Sequence, residues 1–209
     1  AATNNYGESL HWASARLKDD KEVALTAVRN PPYALGEVSA RLQDDREVVL
    51  AAVTTTNYGE SLFWASARLK DDKEVVLAAV KNDVKALPHA SERLLDDKEV
   101  VLAAIKKSKF SLSLASEKLR SDKEFISQLK FSDVDVFKCC HSSIRKHKDI
   151  YLPALKKDPK LCRLFSENVL LTLDFSSLSK ESREIIYRSY KRRSKQKDIF
   201  LLAKAKQHF

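Results

Sequence analysis

The stretch Asp96-Asp97-Lys98-Glu99-Val100-Val101-Leu102-Ala103-Ala104-Ile105 decides the fold. An acidic start, an apolar body and the cations Lys106 and Lys107 behind it follow the polarity of a short amphipathic helix. Asp96 and Glu99 have the spacing of a capping box, in which each side chain satisfies a free backbone N–H. The opening phrase is not unique. It recurs at Asp19–Val23, Asp44–Val48 and Asp71–Val75, and in weaker form at Ser121–Phe125 and Lys146–Ile150. Its apolar fifth residues are Val23, Val48, Val75, Val100, Phe125 and Ile150, spaced by 25 residues except for one interval of 27. The two extra residues fall in the Thr54–Tyr58 stretch, between phrases, where a loop tolerates them.

A second pattern keeps the same rhythm. Leu62, Ala65 and Leu69 lie at helical spacings, as do Leu10/Ala13/Leu17, Leu35/Val38/Leu42, Leu87/Ala90/Leu94 and Leu112/Ala115/Leu119. Each repeat therefore reads as helix A followed by helix B. Neither is long enough to be stable alone, so successive units must stack to bury their faces as one core. The predicted fold is all-α: an α-solenoid-like array of two-helix repeats of about 25 residues, with a divergent C-terminal helical cap. The divisions expected are tandem repeats over 1–150, a degenerate last repeat over 151–178, and a basic helical cap or tail over 179–209. Pro153 falls inside the sixth helix A pattern, where a kink or shifted start is expected.

Composition agrees. Glycine (3) and proline (5) are scarce and 32% of the 209 residues are charged, which suits helices rather than sheets. No apolar run approaches the ~18 residues needed to cross a bilayer. The chain has no methionine and its first residues enter in mid-repeat, so it reads as a piece of a longer protein. Cys139, Cys140 and Cys162 lack the spacing of a disulfide framework, which predicts a reducing intracellular compartment, the cytoplasm in the simplest case. Cys140 and Cys162 occupy core columns, and this reading is preferred to a metal site at Cys139-Cys140-His141.

Three columns invite a functional reading. Ser14, Ser39, Ser66, Ser91 and Ser116 form a serine ladder, read as small residues at tight helix crossings with hydroxyls bonded to upstream carbonyls. Arg16, Arg41, Arg68, Arg93 and Lys118 form a cation column, read as a solvated edge paired with neighbouring acids rather than a phosphate ridge. Trp12 and Trp64 share a column with Glu37, His89 and Leu114, so the core does not require an aromatic there. The two tryptophans are candidate partner anchors.

Charge is lopsided. Residues 126–209 carry 19 Lys and Arg against 9 Asp and Glu, while the preceding residues are close to balanced. Arg188, Lys191, Arg192, Arg193, Lys195 and Lys197 cluster in the final helical pattern as candidates for an anionic partner, nucleic acid or membrane headgroups. The sequence contains no nucleophile–base pairing, glycine-rich phosphate loop or His-Glu metal motif. The expectation is therefore no enzyme, no cofactor and no metal. The leading functional reading is a scaffold presenting an extended surface to a protein partner. Alternatives are an anion binder working through the basic C-terminus, and a targeting arm for an enzyme domain outside this chain.

The phrase carried by Asp71–Asp83, continued by Ala86–Leu94, resembles the helical repeat family catalogued as domain of unknown function 4116. The resemblance is specific over residues 1–125 and weak beyond about 150. It implies tandem repeats and no catalytic residue, cofactor or partner.

Overall fold

The structure, a computed structural model, describes residues 6–29, 33–55, 59–129, 134–165, 169, 173 and 175–191. All regular elements among them are helical. The chain forms two compact units, Ala1–Ser116 and Glu117–Phe209.

In the first unit the repeat has three helical pieces. The long helices are Arg46–Thr55, Lys73–Asn82 and Lys98–Lys107, with Lys21–Ala27 a shorter counterpart. Lys73–Asn82 packs against Arg46–Thr55 on one side and Lys98–Lys107 on the other. Its buried residues, Val75, Val76, Ala79 and Val80, form the two-sided stripe that such stacking requires. The second pattern, read as one helix B, is divided. Gly59–Trp64 is a 3-10 helix, Ala65-Ser66 is extended, and Ala67–Lys70 is a single α-turn. The next repeat does the same with Val84–His89 and Glu92–Leu95. The predicted core columns hold from the second repeat on, with Leu42, Leu62, Leu69, Leu87, Leu94 and Leu112 fully buried, but not at Leu17, which is exposed.

The serine ladder causes the division. Ser66 sits at φ −60°, ψ 158°, and its hydroxyl accepts the Leu69 N–H at 3.2 Å. It is an N-cap, and Ser39 and Ser91 repeat the geometry. The same hydroxyl donates to Asp44 of the preceding repeat, as Ser39 does to Asp19, Ser91 to Asp71 and Ser116 to Asp96. The expectation of hydroxyls bonded to upstream carbonyls is thus corrected. An exposed carboxylate two residues beyond the column leucine of the previous repeat is the stronger acceptor.

The capping-box register is corrected by one residue. Asp97, not Asp96, caps the long helix, accepting from the Glu99 and Val100 N–H groups at 2.9 and 3.1 Å. Asp45 and Asp72 do likewise. The first aspartate of each phrase is thereby released to face the next repeat. There the cation column closes on it. Arg41, Arg68 and Arg93 place Nε 2.9–3.0 Å from the Asp19, Asp44 and Asp71 carboxylates. Each also donates Nη2 to the main-chain carbonyl of the same aspartate, at 2.6–2.7 Å. A backbone bond completes each junction. The N–H groups of Ser39, Ser66, Ser91 and Ser116 donate to the carbonyls of Lys18, Gln43, Lys70 and Leu95.

The third residue of the phrase points to the following repeat. Lys21 reaches Asp45 and Glu47, Arg46 reaches Asp72 and Glu74, and Lys73 reaches Asp97 and Glu99. Every polar residue of the Asp-Asp-Lys/Arg-Glu phrase thus contributes to stacking.

The second unit keeps the rhythm with altered parts. His141 takes the serine place and its Nδ1 accepts the Ser143 N–H at 3.3 Å, while its own N–H donates to Arg120 O. Lys148–Lys157 begins two residues before Ile150, as Lys98–Lys107 begins two before Val100. Pro153 therefore does not shift the helix start as expected. Its fixed φ suits the helix, and it removes one N–H donor. The final helix, Lys180–Lys191, packs on the 3-10 helix Pro159–Leu164, with Ser182, Ile186 and Ser189 buried. Cys139, Cys140 and Cys162 are buried thiols outside any disulfide, and burial pushes the Cys140 thiol up to about 12.

The clamp carboxylates give a pH prediction. The Ser66 hydroxyl, then the Arg68 guanidinium, hold the Asp44 carboxyl below the usual range. Ser39 with Arg41, and Ser91 with Arg93, do the same to Asp19 and Asp71. A depressed folded pKa adds stability that is complete above the unfolded value, about 3.9, and is lost as pH falls through the folded value. The thermal midpoint should hold down to about pH 4.5 and fall steeply below about pH 4. Asp44→Asn with Asp71→Asn should flatten that acid limb. An unchanged limb would mean that the clamps do not form.

Candidate functional surface

A 3-10 helix has three residues per turn, so side chains three apart share a face. In Gly59–Trp64 this turns Gly59 and Leu62 inward and Glu60 and Phe63 outward, while Ser61 is buried and Trp64, on the same side one turn later, is partly exposed. Val84–His89 and Lys109–Leu114 are 3-10 helices as well, while their counterparts Tyr6–His11 and Ala34–Glu37 are α-helical. Nearly all exposed large apolar residues of the first unit lie on this first segment of a repeat or directly beside it. They are Trp12, Tyr33, Phe63, Trp64, Phe110 and Leu114, with Leu17 the exception. The apolar residues of the long helices are largely turned inward.

Phe63 and Trp64 build the best-formed part of this edge. Their ring centroids are 5.0 Å apart at 86°, and Phe63 meets His89 at 5.4 Å and 70°. The Lys70 ammonium stands 5.2 Å from the Phe63 centroid, a cation–π distance. With Tyr33 and Glu60 these rings line a half-open cavity of about 330 Å³. Burial, then the Lys70 charge, hold His89 below the ordinary histidine range, which favours the neutral ring at neutral pH. Trp64 lies against Gly36, where a Cβ would stand 2.6 Å from the indole.

Trp12 and Trp64, paired by sequence, are both exposed but do not share the cavity. Trp12 is 87% exposed and touches His11 edge-on at 5.0 Å; Trp64 is 39% exposed. In the same column Glu37 is bound instead to His11 at 3.1 Å and Lys18 at 3.2 Å. Sequence reasoning missed Tyr33, Phe63 and Phe110. Phe63 precedes Trp64 directly, and a period of three rather than 3.6 would have exposed it. In the second unit Arg188 pairs with Glu184 at 2.7 Å on the final helix, which Lys191 ends. Arg192, Arg193, Lys195 and Lys197 lie outside the described residues.

Two glycines separate scaffold from surface. A Cβ on Gly59 would stand 2.3 Å from the backbone N of Ala86, where nothing can yield. Gly59→Ala should destabilise by about 2–3 kcal/mol in chemical denaturation. Gly36→Ala meets only a partly exposed indole that can swing away. In a Trp12→Phe background it should red-shift tryptophan emission with a smaller stability loss. Equal losses from the two would show that Trp64 is locked into the scaffold.

Among the described residues no helix is long and apolar enough to cross a membrane. No curated protein and no solved structure matches the chain. A family model matches it four times, over residues 1–43, 20–70, 45–95 and 97–129. These matches cover more than half of the chain and follow the clamped repeats, and the chain belongs to the family described as domain of unknown function DUF4116.

Proposed function

We propose that the chain is a non-catalytic helical-repeat scaffold whose aromatic edge binds a protein partner. The supporting observation is the concentration of exposed Trp12, Tyr33, Phe63, Trp64 and Phe110 on one repeated segment while the core columns stay closed. Aromatic residues bring large contact area at little conformational cost, which is why they anchor interfaces. The rigid stack holds the rings in place, and Lys70, Glu60 and His89 supply polar contacts around the cavity.

The test is affinity capture from native extract with three baits: the wild-type chain, Trp12→Ala with Phe63→Ala, and Arg188→Ala. Both substituted aromatics are more than half exposed, so the thermal midpoint should move by no more than about 2 °C. Partners should be retained by wild type and Arg188→Ala and lost by the aromatic variant. Capture that survives the aromatic variant but disappears with Arg188→Ala and rising salt would replace this reading with anion binding at the C-terminal end.

A further inference from the structure

The cavity on the aromatic edge is assembled from three repeats. Glu60, Phe63 and Trp64 belong to the third; Tyr33 stands in the place of Glu60 in the second, and His89 in the place of Trp64 in the fourth. The second repeat is fitted to the third. It carries Gly36 in the place of Phe63, and a Cβ there would stand 2.6 Å from the Trp64 indole. The missing side chain seats the indole against the second repeat and keeps it at the cavity it shares with Tyr33. The rings of Trp64 and His89 stand at 86° and 70° to Phe63, with centroids 5.0 and 5.4 Å from it. A group entering here meets ring surface on several sides. It meets one carboxylate, Glu60, which is exposed and makes no ion pair among the described residues. His89 favours its neutral form, so Glu60 sets the charge of the lining. Lys70 stands 5.2 Å from the Phe63 centroid but does not line the cavity.

We infer that this cavity takes the side chain of an arginine on the protein partner, its guanidinium lying on the rings of Tyr33, Phe63 and Trp64 and donating to the Glu60 carboxylate. The inference rests on the reading of the aromatic edge as a protein-binding surface and names what that surface selects. Aromatic faces are negative and attract a cation, and a carboxylate beside them adds to the attraction. An anionic side chain would meet the Glu60 charge and the ring faces together. An apolar side chain would cover Glu60 without giving it a donor. Between the two natural cations, the compact lysine ammonium holds its water strongly. The guanidinium is planar and weakly hydrated, stacks on rings, and offers a fork of N–H donors that matches a carboxylate. Lys70 shows that the Phe63 ring already accepts a cation nearby, and it leaves Glu60 to an incoming donor.

Trp12 and Trp64 are the two tryptophans of the chain, so Trp12→Phe leaves one indole, in the cavity wall, as a reporter. The Trp64 indole N–H resonance of that variant is followed during titration with the capped peptide Ser-Gly-Arg-Gly-Ser. Three further peptides carry citrulline, leucine or trimethyllysine in place of the arginine. The arginine peptide should give a saturable shift, and the citrulline peptide, equal in shape but uncharged, should bind roughly tenfold more weakly or worse. Glu60→Gln should weaken the arginine peptide by a similar factor of about ten without moving the thermal midpoint, since Glu60 is exposed. Gly36→Ala, which displaces the indole, should also weaken it. A leucine or citrulline peptide that binds as tightly as arginine, or a Glu60→Gln variant that binds unchanged, would overturn the inference and leave the aromatic-edge reading standing. Tighter binding of the trimethyllysine peptide would overturn it in favour of a quaternary ammonium, and no saturable shift would overturn it outright. Failure of the edge reading itself is seen separately, as partner capture that survives Trp12→Ala with Phe63→Ala.

Discussion

The junction between consecutive repeats rests on one carboxylate. The first aspartate of each phrase accepts from the next repeat's serine hydroxyl and from its arginine, while its own main-chain carbonyl accepts from the same guanidinium. Exposed ion pairs add little individually, and these are exposed. Their importance is geometric. A single α-turn such as Ala67–Lys70 has no stability of its own. Here the serine that caps its start is also tied by its backbone N–H to the previous repeat. Removing either neighbour would free both the turn and its cap. Regular 25-residue spacing follows, because the acceptor and the donor pair must arrive in register on successive turns.

This explains how far the sequence was legible. The apolar columns are buried as their spacing implied, from Leu62 and Ala65 to Leu69. That spacing, i, i+3, i+7, fits one α-helix equally well as a 3-10 turn, an extended pair and an α-turn. Apolar periodicity therefore could not separate the two. The deciding signal was polar: a serine three residues before each column leucine, which is where an N-cap belongs. The paired aspartates misled by one residue for a related reason. Both were N-cap types at adjacent positions, and only the neighbouring repeat determines which one caps. A local motif whose second partner lies 20 or more residues away is ambiguous when read locally.

The same logic separates the two units. The clamp from Ser116 to Asp96 is the last of its kind between a serine and a first aspartate, and the first unit ends at Ser116. Beyond it Ser121 and Lys146 replace the acceptor aspartate, and His141 replaces the donor serine. The backbone bond survives, from His141 N–H to Arg120 O, and so does the long-helix register. The side-chain code thus lapses before the backbone rhythm does. Sequence patterning registered this as gradual decay because it weighed apolar and polar columns together.

The division of each second segment also decides what the surface can be. If Gly59–Lys70 were one continuous α-helix, Phe63 and Trp64 would drift around its axis relative to Leu62 and Leu69. The 3-10 turn resets that drift, and the serine cap restarts the helix in the core register. The outward positions touch the neighbouring repeat only outside the leucine columns, as Trp64 does at Gly36 and Glu37 does at His11 and Lys18. Trp12, Glu37, Trp64, His89 and Leu114 occupy equivalent places without disturbing the buried leucines beside them. A scaffold whose stacking is specified by serine, arginine and aspartate leaves the character of its aromatic edge to be set one repeat at a time. That separation supports the proposal that a partner would be met on this edge rather than on the long helices.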